Sequence, residues 1–238
     1  MTMNAKILAL HLTKGGVGKT TTLINLGYCL RRLGFKVLYV DADPQSSLTE
    51  FYFNLDNIKE NLGDLLLDKS IYIKPLELDT NLHLIAGFPE AHSIKLKDEK
   101  MSEVLEQYRK DYDFILIDTS PALTHITKNV FYACDKIYLP VEASLMGLNA
   151  VKKTYEGVGQ KIQQKYGGMF LTKYKRNTIA SQEVENMLKD KCFKTYLRDA
   201  SQANNAHLLG KSVIDAFPTC SLAHEYMSLT REILETIK

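Results

Sequence analysis

Nine residues, Thr13-Lys-Gly-Gly-Val-Gly-Lys-Thr-Thr21, separate a strand pattern, Lys6 to Leu12, from an amphipathic helix pattern, Thr22 to Leu33. A glycine-rich turn in that position leaves backbone N–H groups free to surround phosphate oxygens. The helix that follows adds the partial positive charge of its N-terminus on the same side. Lys19 can then reach the β/γ-phosphates, and the Thr20 hydroxyl is placed to ligate Mg²⁺. The pattern G-x-x-x-x-G-K-[ST] is not met literally, because Thr13 stands where its first glycine belongs. A second lysine, Lys14, precedes Gly15-Gly16 instead. This segment is a nucleotide-binding loop.

Strand-length apolar runs alternate with helix-period segments along the rest of the chain. The strand candidates are 6–12, 36–41, 82–86, 113–118, 136–141, 168–172 and 193–197, and helices are expected near 20–33, 98–110, 122–133, 147–165, 179–190 and 220–237. Near-continuous apolar strands separated by helices imply an α/β fold: a doubly wound, mostly parallel sheet covered by helices on both faces. Ligands of such sheets bind at the carboxyl ends of the strands. No repeat or Pro/Gly/Ser-rich linker interrupts residues 1–238, so one domain is expected, with 54–81 as an irregular insertion.

Cys29, Cys134, Cys192 and Cys220 show no C-x-x-C or Cys/His ligand spacing, so they read as reduced thiols rather than a disulfide or zinc framework. There is no secretory segment and no apolar run near the ~18 residues of a membrane span, and a cytoplasmic protein is expected. Net charge is +2 but uneven: residues 151–238 hold fourteen Lys/Arg against nine Asp/Glu, and residues 1–150 sixteen against nineteen. A basic C-terminal half fits a polyanion partner, although a solvated helix face gives the same count.

Two further segments carry chemistry. Asp118 closes the strand Asp113-Phe-Ile-Leu-Ile-Asp118. It can hold a metal-bound water beside the phosphate loop, or alternatively cap the next helix; the loop favours the metal role. Asp41-Ala-Asp43-Pro-Gln45 ends another strand, and Pro44 stops that strand. One of its carboxylates can steady the Mg²⁺ shell or Lys19, and the other can orient a water for attack on the γ-phosphate.

Together these three segments resemble the nucleotide motifs of the ParA family, ParA/MinD-type partitioning ATPases of the deviant Walker A class. Cys134-Asp-Lys-Ile-Tyr-Leu-Pro140, Gly147-Leu148, Phe193-Lys-Thr195 and Gly210-Lys-Ser-Val213 extend the likeness over nearly the whole chain. The resemblance implies an ATPase with ATP and Mg²⁺ bound between the two subunits of a homodimer. Lys14 would be the signature lysine, reaching the partner's phosphates. Gly15, Gly16, Val17, Gly18, Lys19, Thr20 and Thr21 would form the cradle. Asp43 would be the catalytic carboxylate, and Thr20, Asp41 and Asp118 the magnesium residues. The ATP dimer would bind duplex DNA without sequence preference, and a ParB-type partner would trigger hydrolysis, moving a plasmid or chromosomal locus in a bacterial or archaeal cell.

The departures from the family pattern are specific. Leu12-Thr13 stand where many relatives have Asn-Gln, and Phe217-Pro-Thr-Cys-Ser-Leu222 lacks the arginine expected before the last helix. The candidate DNA contacts are therefore Lys173, Lys175, Arg176, Lys194, Arg198 and Lys211. Other readings are a ParA-like positioner of a different cargo, a MinD-like membrane switch and an interaction protein with negligible hydrolysis. Residues 228–238 balance two glutamates with two basic residues and lack a large aromatic, so packing on the sheet is favoured over stable membrane association. Only five residues precede Lys6, so operator binding by an N-terminal extension is not expected.

Overall fold

Every residue of Val37–Ala42 and Phe114–Thr119 is buried, as continuous apolar runs require of strands covered on both faces. The computed structural model describes residues 4–89 and 94–237. Its strands are β1 (Lys6–Leu10), β2 (Val37–Ala42), β3 (Leu76–Asp79), β4 (Leu82–Ile85), β5 (Phe114–Thr119), β6 (Lys136–Glu142) and β7 (Tyr166–Thr172). They form one sheet in the order β3-β4-β2-β5-β1-β6-β7, parallel throughout except for β3 against β4.

The helices are α1 (Lys19–Arg32), α2 (Ser47–Tyr52), α3 (Leu62–Leu66), α4 (Lys100–Glu106), α5 (His125–Ala133), α6 (Leu145–Glu156), α7 (Gln160–Gln163), α8 (Ile179–Leu188), α9 (Ser201–Leu208), α10 (Val213–Ala216) and α11 (Ser221–Glu235). The two-residue strand period divides them between two cores. Leu8, Leu10, Tyr39, Leu116 and Tyr138 pack with α1, α10 and α11, while Ile7, Ala9, Val40, Ile117 and Leu139 pack with α4 and α5.

Two glycines let helices approach strands closely. A Cβ on Gly27 of α1 would lie 2.0 Å from the Tyr39 hydroxyl oxygen, and one on Gly147 of α6 would lie 2.1 Å from the Glu142 carbonyl oxygen. The first seats α1 on β2 and so fixes the helix start at the phosphate loop. The second locks the turn that follows β6. Helix α11 spends its apolar side, Leu222, Tyr226, Leu229 and Ile233, in the core shared with α1, as its balanced charge suggested.

Several boundaries differ from the sequence expectation. Residues 193–197 do not form a strand. They run beside β7 through Phe193 N–H to Met169 O at 2.7 Å and Leu197 N–H to Leu171 O at 2.8 Å. Between these, the Lys194 and Thr195 amides donate to the Glu232 carboxylate of α11 at 2.7 and 2.8 Å, which takes them out of any ladder. The helix expected over 147–165 divides into α6 and α7, with Gly157 at the end of one and Gly159 at the start of the other. Segment 54–81 is less irregular than expected. It holds α3, opened by reciprocal Asn61 and Asp64 side-chain hydrogen bonds, and the antiparallel edge strand β3.

Candidate functional site

The carboxyl ends of β1, β2, β5 and β7 converge on one cleft of about 560 Å³, a size ordinary for a small-molecule site. One wall is the loop from Gly15 through Thr22, with Asp43, Gln45 and Pro121 beside it. Gly16 and Gly18 have φ of +71° and +85°, a conformation that favours glycine. Gly15 has no such φ, and a Cβ there would meet no atom within 4 Å. Neither backbone strain nor protein packing therefore demands glycine at 15. A glycine there leaves its amide open to the close approach of a phosphate oxygen, so the loop geometry fits a nucleotide.

Lys19 is buried at the first turn of α1, with Nζ 3.5 Å from the Lys14 carbonyl oxygen. Burial lowers its pKa, and the Asp118 and Asp43 carboxylates oppose that shift. The Thr20 hydroxyl donates to Asp118 Oδ2 at 2.6 Å, and the Thr119 amide donates to Oδ1 at 3.1 Å. No cluster of three or more His, Cys, Asp or Glu side chains suited to a metal exists among the described residues. A magnesium ion that keeps several waters and takes phosphate oxygens needs only one or two protein ligands. Thr20 and Asp118 suit that pattern.

Asp41 and Asp43 separate in role although the sequence pairs them. Asp41 is fully buried, and Thr49 donates to its Oδ2 from both the amide (2.8 Å) and the hydroxyl (2.7 Å), while the Asp43 amide donates to Oδ1 at 3.2 Å. With both oxygens engaged by the chain, Asp41 fastens α2 beneath the loop and does not line the cleft. Asp43 does line it, and its Oδ1 accepts from the Gln45 amide at 3.0 Å.

Asp41 and Asp118 are register partners on adjacent strands. Burial, chiefly, and in each case a neighbouring carboxylate push both carboxyls above the ordinary value of 3.8. A raised folded-state pKa adds stability below the unfolded pKa and loses it as pH rises. The unliganded protein is therefore expected to lose stability as pH rises from about 4 toward neutrality, through the raised carboxyl pKa values. Urea unfolding at pH 4.5, 6 and 7.5 should show a shallower decline in Asp118→Asn. An equal decline in that variant would contradict the assignment.

His11 belongs to none of the sequence motifs. It sits buried at the end of β1, and its Nδ1 lies 3.2 Å from Thr119 Oγ1, next to Asp118. Thr119 Oγ1 gives its own proton to the Leu10 carbonyl at 2.8 Å, so the histidine is the donor. Burial, with Lys19 nearby, takes its pKa down to about 3. It is a neutral tie between β1 and β5, and only its position one strand-end from the loop could have marked it.

Lys14 takes a different direction from the rest of the loop. It pairs with Glu142 and lines a separate depression with Thr13, Met146, Asn149, Ala150 and Lys153. The Thr13 amide accepts no freedom here: it donates to Thr154 Oγ1 at 3.1 Å, and the Thr13 hydroxyl donates to the Ala150 carbonyl at 3.1 Å. Lys14 thus projects from a fixed base toward α6, away from the cleft that Lys19 serves.

Of the six basic residues that are candidate DNA contacts, Lys173 and Arg198 line the same cleft as the loop. Arg198 is held by Glu225, with both Nε and Nη2 at 2.6 Å from Oε1, and Lys175 pairs with Asp199 at 3.1 Å. Lys173, Arg176, Lys194 and Lys211 are exposed and carry no ion pair among the described residues. Lys194 shares a depression with Arg198, whereas Lys211 lies apart, beside Phe51 and His207. Asn204 and Tyr226 complete the cleft wall; their positions on amphipathic helices gave no sequence signal.

No helix among the described residues is long and apolar enough to cross a membrane. The AAA domain family model matches residues 5–167. The chromosome-partitioning ATPase Soj of Thermus thermophilus is 31% identical, with 99% of each chain covered. The sporulation initiation inhibitor protein Soj of Bacillus subtilis is 29% identical, covering 96% of this chain and 98% of the relative. Among solved structures, a putative plasmid partition protein of Borrelia burgdorferi bound to AMPPNP superposes with a TM-score of 0.80 at 25% identity, with 98% of each chain covered.

Proposed function

The chain belongs to the ParA family of partitioning ATPases, and from that premise we propose that it hydrolyses ATP as a nucleotide-dependent homodimer that positions a plasmid or chromosomal locus. The supporting observation is the opposed placement of the two loop lysines: Lys19 is buried at its own cleft, and Lys14 projects outside it. A lysine that cannot serve its own nucleotide is free to serve a partner's. The AMPPNP complex of the Borrelia partition protein supports ATP as the ligand.

In this reading residues 1–238 act as one ATPase domain. Gly15, Gly16, Val17, Gly18 and Thr21 offer backbone groups to the phosphates, and Lys19 neutralises their β/γ charge. Thr20 and Asp118 hold the magnesium shell. Magnesium supplies charge neutralisation on the phosphate oxygens. Asp43 accepts a hydrogen bond from the attacking water and orients it. Asp41 supports the site by anchoring α2 rather than by meeting the metal. A ParB-type activator and non-specific duplex DNA complete the cycle, in the cytoplasm and on the nucleoid. A different cargo carried by the same switch is the second reading, since nothing in the cleft specifies a load.

Lys14→Ala is expected to bind ATP with near-normal affinity yet stay monomeric. A light-scattering mass that doubles with ATP in this variant contradicts the trans role of Lys14. DNA binding is expected only with ATP, without sequence preference, and with a log–log salt slope of about −0.9 per phosphate neutralised. Because Lys175 and Arg198 are already paired with carboxylates, the combined change Lys173→Glu/Arg176→Glu should weaken binding more than Arg198→Glu. No affinity for duplex at low salt in the ATP state would contradict the DNA track and favour the second reading.

A further inference from the structure

The contact that holds Lys14 is built from two fixed ends. Glu142 terminates β6, where its carbonyl accepts from the Ser144 amide at 2.7 Å and Gly147 packs against its backbone. Lys14 follows Thr13, which is tied to α6 through Ala150 and Thr154. A carboxylate presented from a locked strand end to an ammonium on a locked loop loses little side-chain entropy on pairing, unlike two free surface chains. The Lys14 and Glu142 side chains are 23% and 28% exposed, so the pair is only partly screened.

We infer that Glu142 is a positioning residue for Lys14, holding it in its own subunit and setting the nucleotide and protein concentrations at which two copies of this chain associate. The inference rests on the proposed dimer. To meet a partner's phosphates, Lys14 must leave Glu142. A carboxylate left uncompensated beside a second subunit's triphosphate then repels it, so both effects oppose assembly. A pair of this exposure corresponds to up to roughly a fivefold change in an equilibrium constant. A symmetric dimer releases two such pairs, giving up to roughly 25-fold.

The test compares wild type with Glu142→Gln, which keeps the shape and removes the charge, and with Glu142→Ala as a second variant. In nucleotide-free protein, the acylation rate of the Lys14 amine by an N-hydroxysuccinimide ester, read by mass spectrometry, should rise in both variants. Equal rates would show that the pair does not hold Lys14 in solution and would overturn the inference. With AMPPNP and Mg²⁺, sedimentation should place the dimerisation constant of Glu142→Gln about 5- to 25-fold tighter than wild type. A merely structural role for Glu142 loosens the dimer or leaves it unchanged, and either result overturns the inference. Wild type that dimerises with an unchanged constant in the variant contradicts the positioning role alone. Monomers in all three proteins contradict the dimer itself and the inference with it.

Discussion

Lys19→Ala is expected to lose ATP affinity by about two orders of magnitude or more and to show no measurable hydrolysis. Lys19 is the loop's only side-chain cation at the cleft, and its buried ammonium feels the Asp118 and Asp43 carboxylates. A hydrogen bond to a charged group contributes about 1.5–3 kcal/mol, and the upper part of that range corresponds to roughly a hundredfold in affinity. Removing the amine also leaves the Asp43 carboxylate at the cleft without its neighbouring counter-charge, which adds repulsion. The fold should survive, because Lys19 sits at the first turn of α1 and the helix is held by its apolar residues and by Gly27 against Tyr39. Calorimetry with ATP and Mg²⁺ checks the affinity, and circular dichroism controls for folding. Affinity equal to wild type in a folded variant would mean that the loop does not bind phosphate.

Asp43→Ala is expected to separate binding from chemistry. The cradle, Lys19 and the Thr20–Asp118 pair remain, so ATP should bind. Removing a group that orients the attacking water typically costs a factor of 10²–10⁴ in kcat. Asp43 also holds the Gln45 amide, so Asp43→Asn is the sharper variant: it retains an acceptor for that amide while removing the charge. Both variants should show kcat reduced at least about a hundredfold with KM little changed. If only Asp43→Ala is slow and Asp43→Asn matches wild type in single-turnover hydrolysis, Asp43 shapes the turn and another group orients the water.

Much of this was legible in the chain because local chemistry and tertiary placement agree at the nucleotide site. The loop lies between strand and helix patterns, and its acidic partners close two other apolar strands. The parallel sheet therefore brings Asp43 and Asp118 to the loop whatever the intervening residues do. Asp41 shows the limit of that reasoning. Two-residue spacing places it on the same strand end as Asp43, but Thr49 lies in a short helix with no sequence signal, and its hydroxyl and amide take one carboxylate oxygen. The segment 193–197 failed as a strand for a comparable reason. Its apolar pattern is strand-like, yet a glutamate nearly forty residues later, Glu232, captures two of its amides. Arg198 and Lys173 read as candidate DNA contacts on sequence alone, and only the packing of the stretch after β7 puts them on the cleft wall. Glu142 carried no motif at all; its significance comes from β6 lying directly beside β1 in the sheet.

The central claim is that ATP in this cleft joins two copies of the chain. The most direct measurement is the light-scattering mass of Asp43→Ala, which cannot clear its nucleotide by turnover, with and without Mg²⁺ and saturating ATP. The account predicts the 27.0 kDa monomer without nucleotide and twice that mass with it. A mass that stays at 27.0 kDa while calorimetry shows the site filled would contradict it.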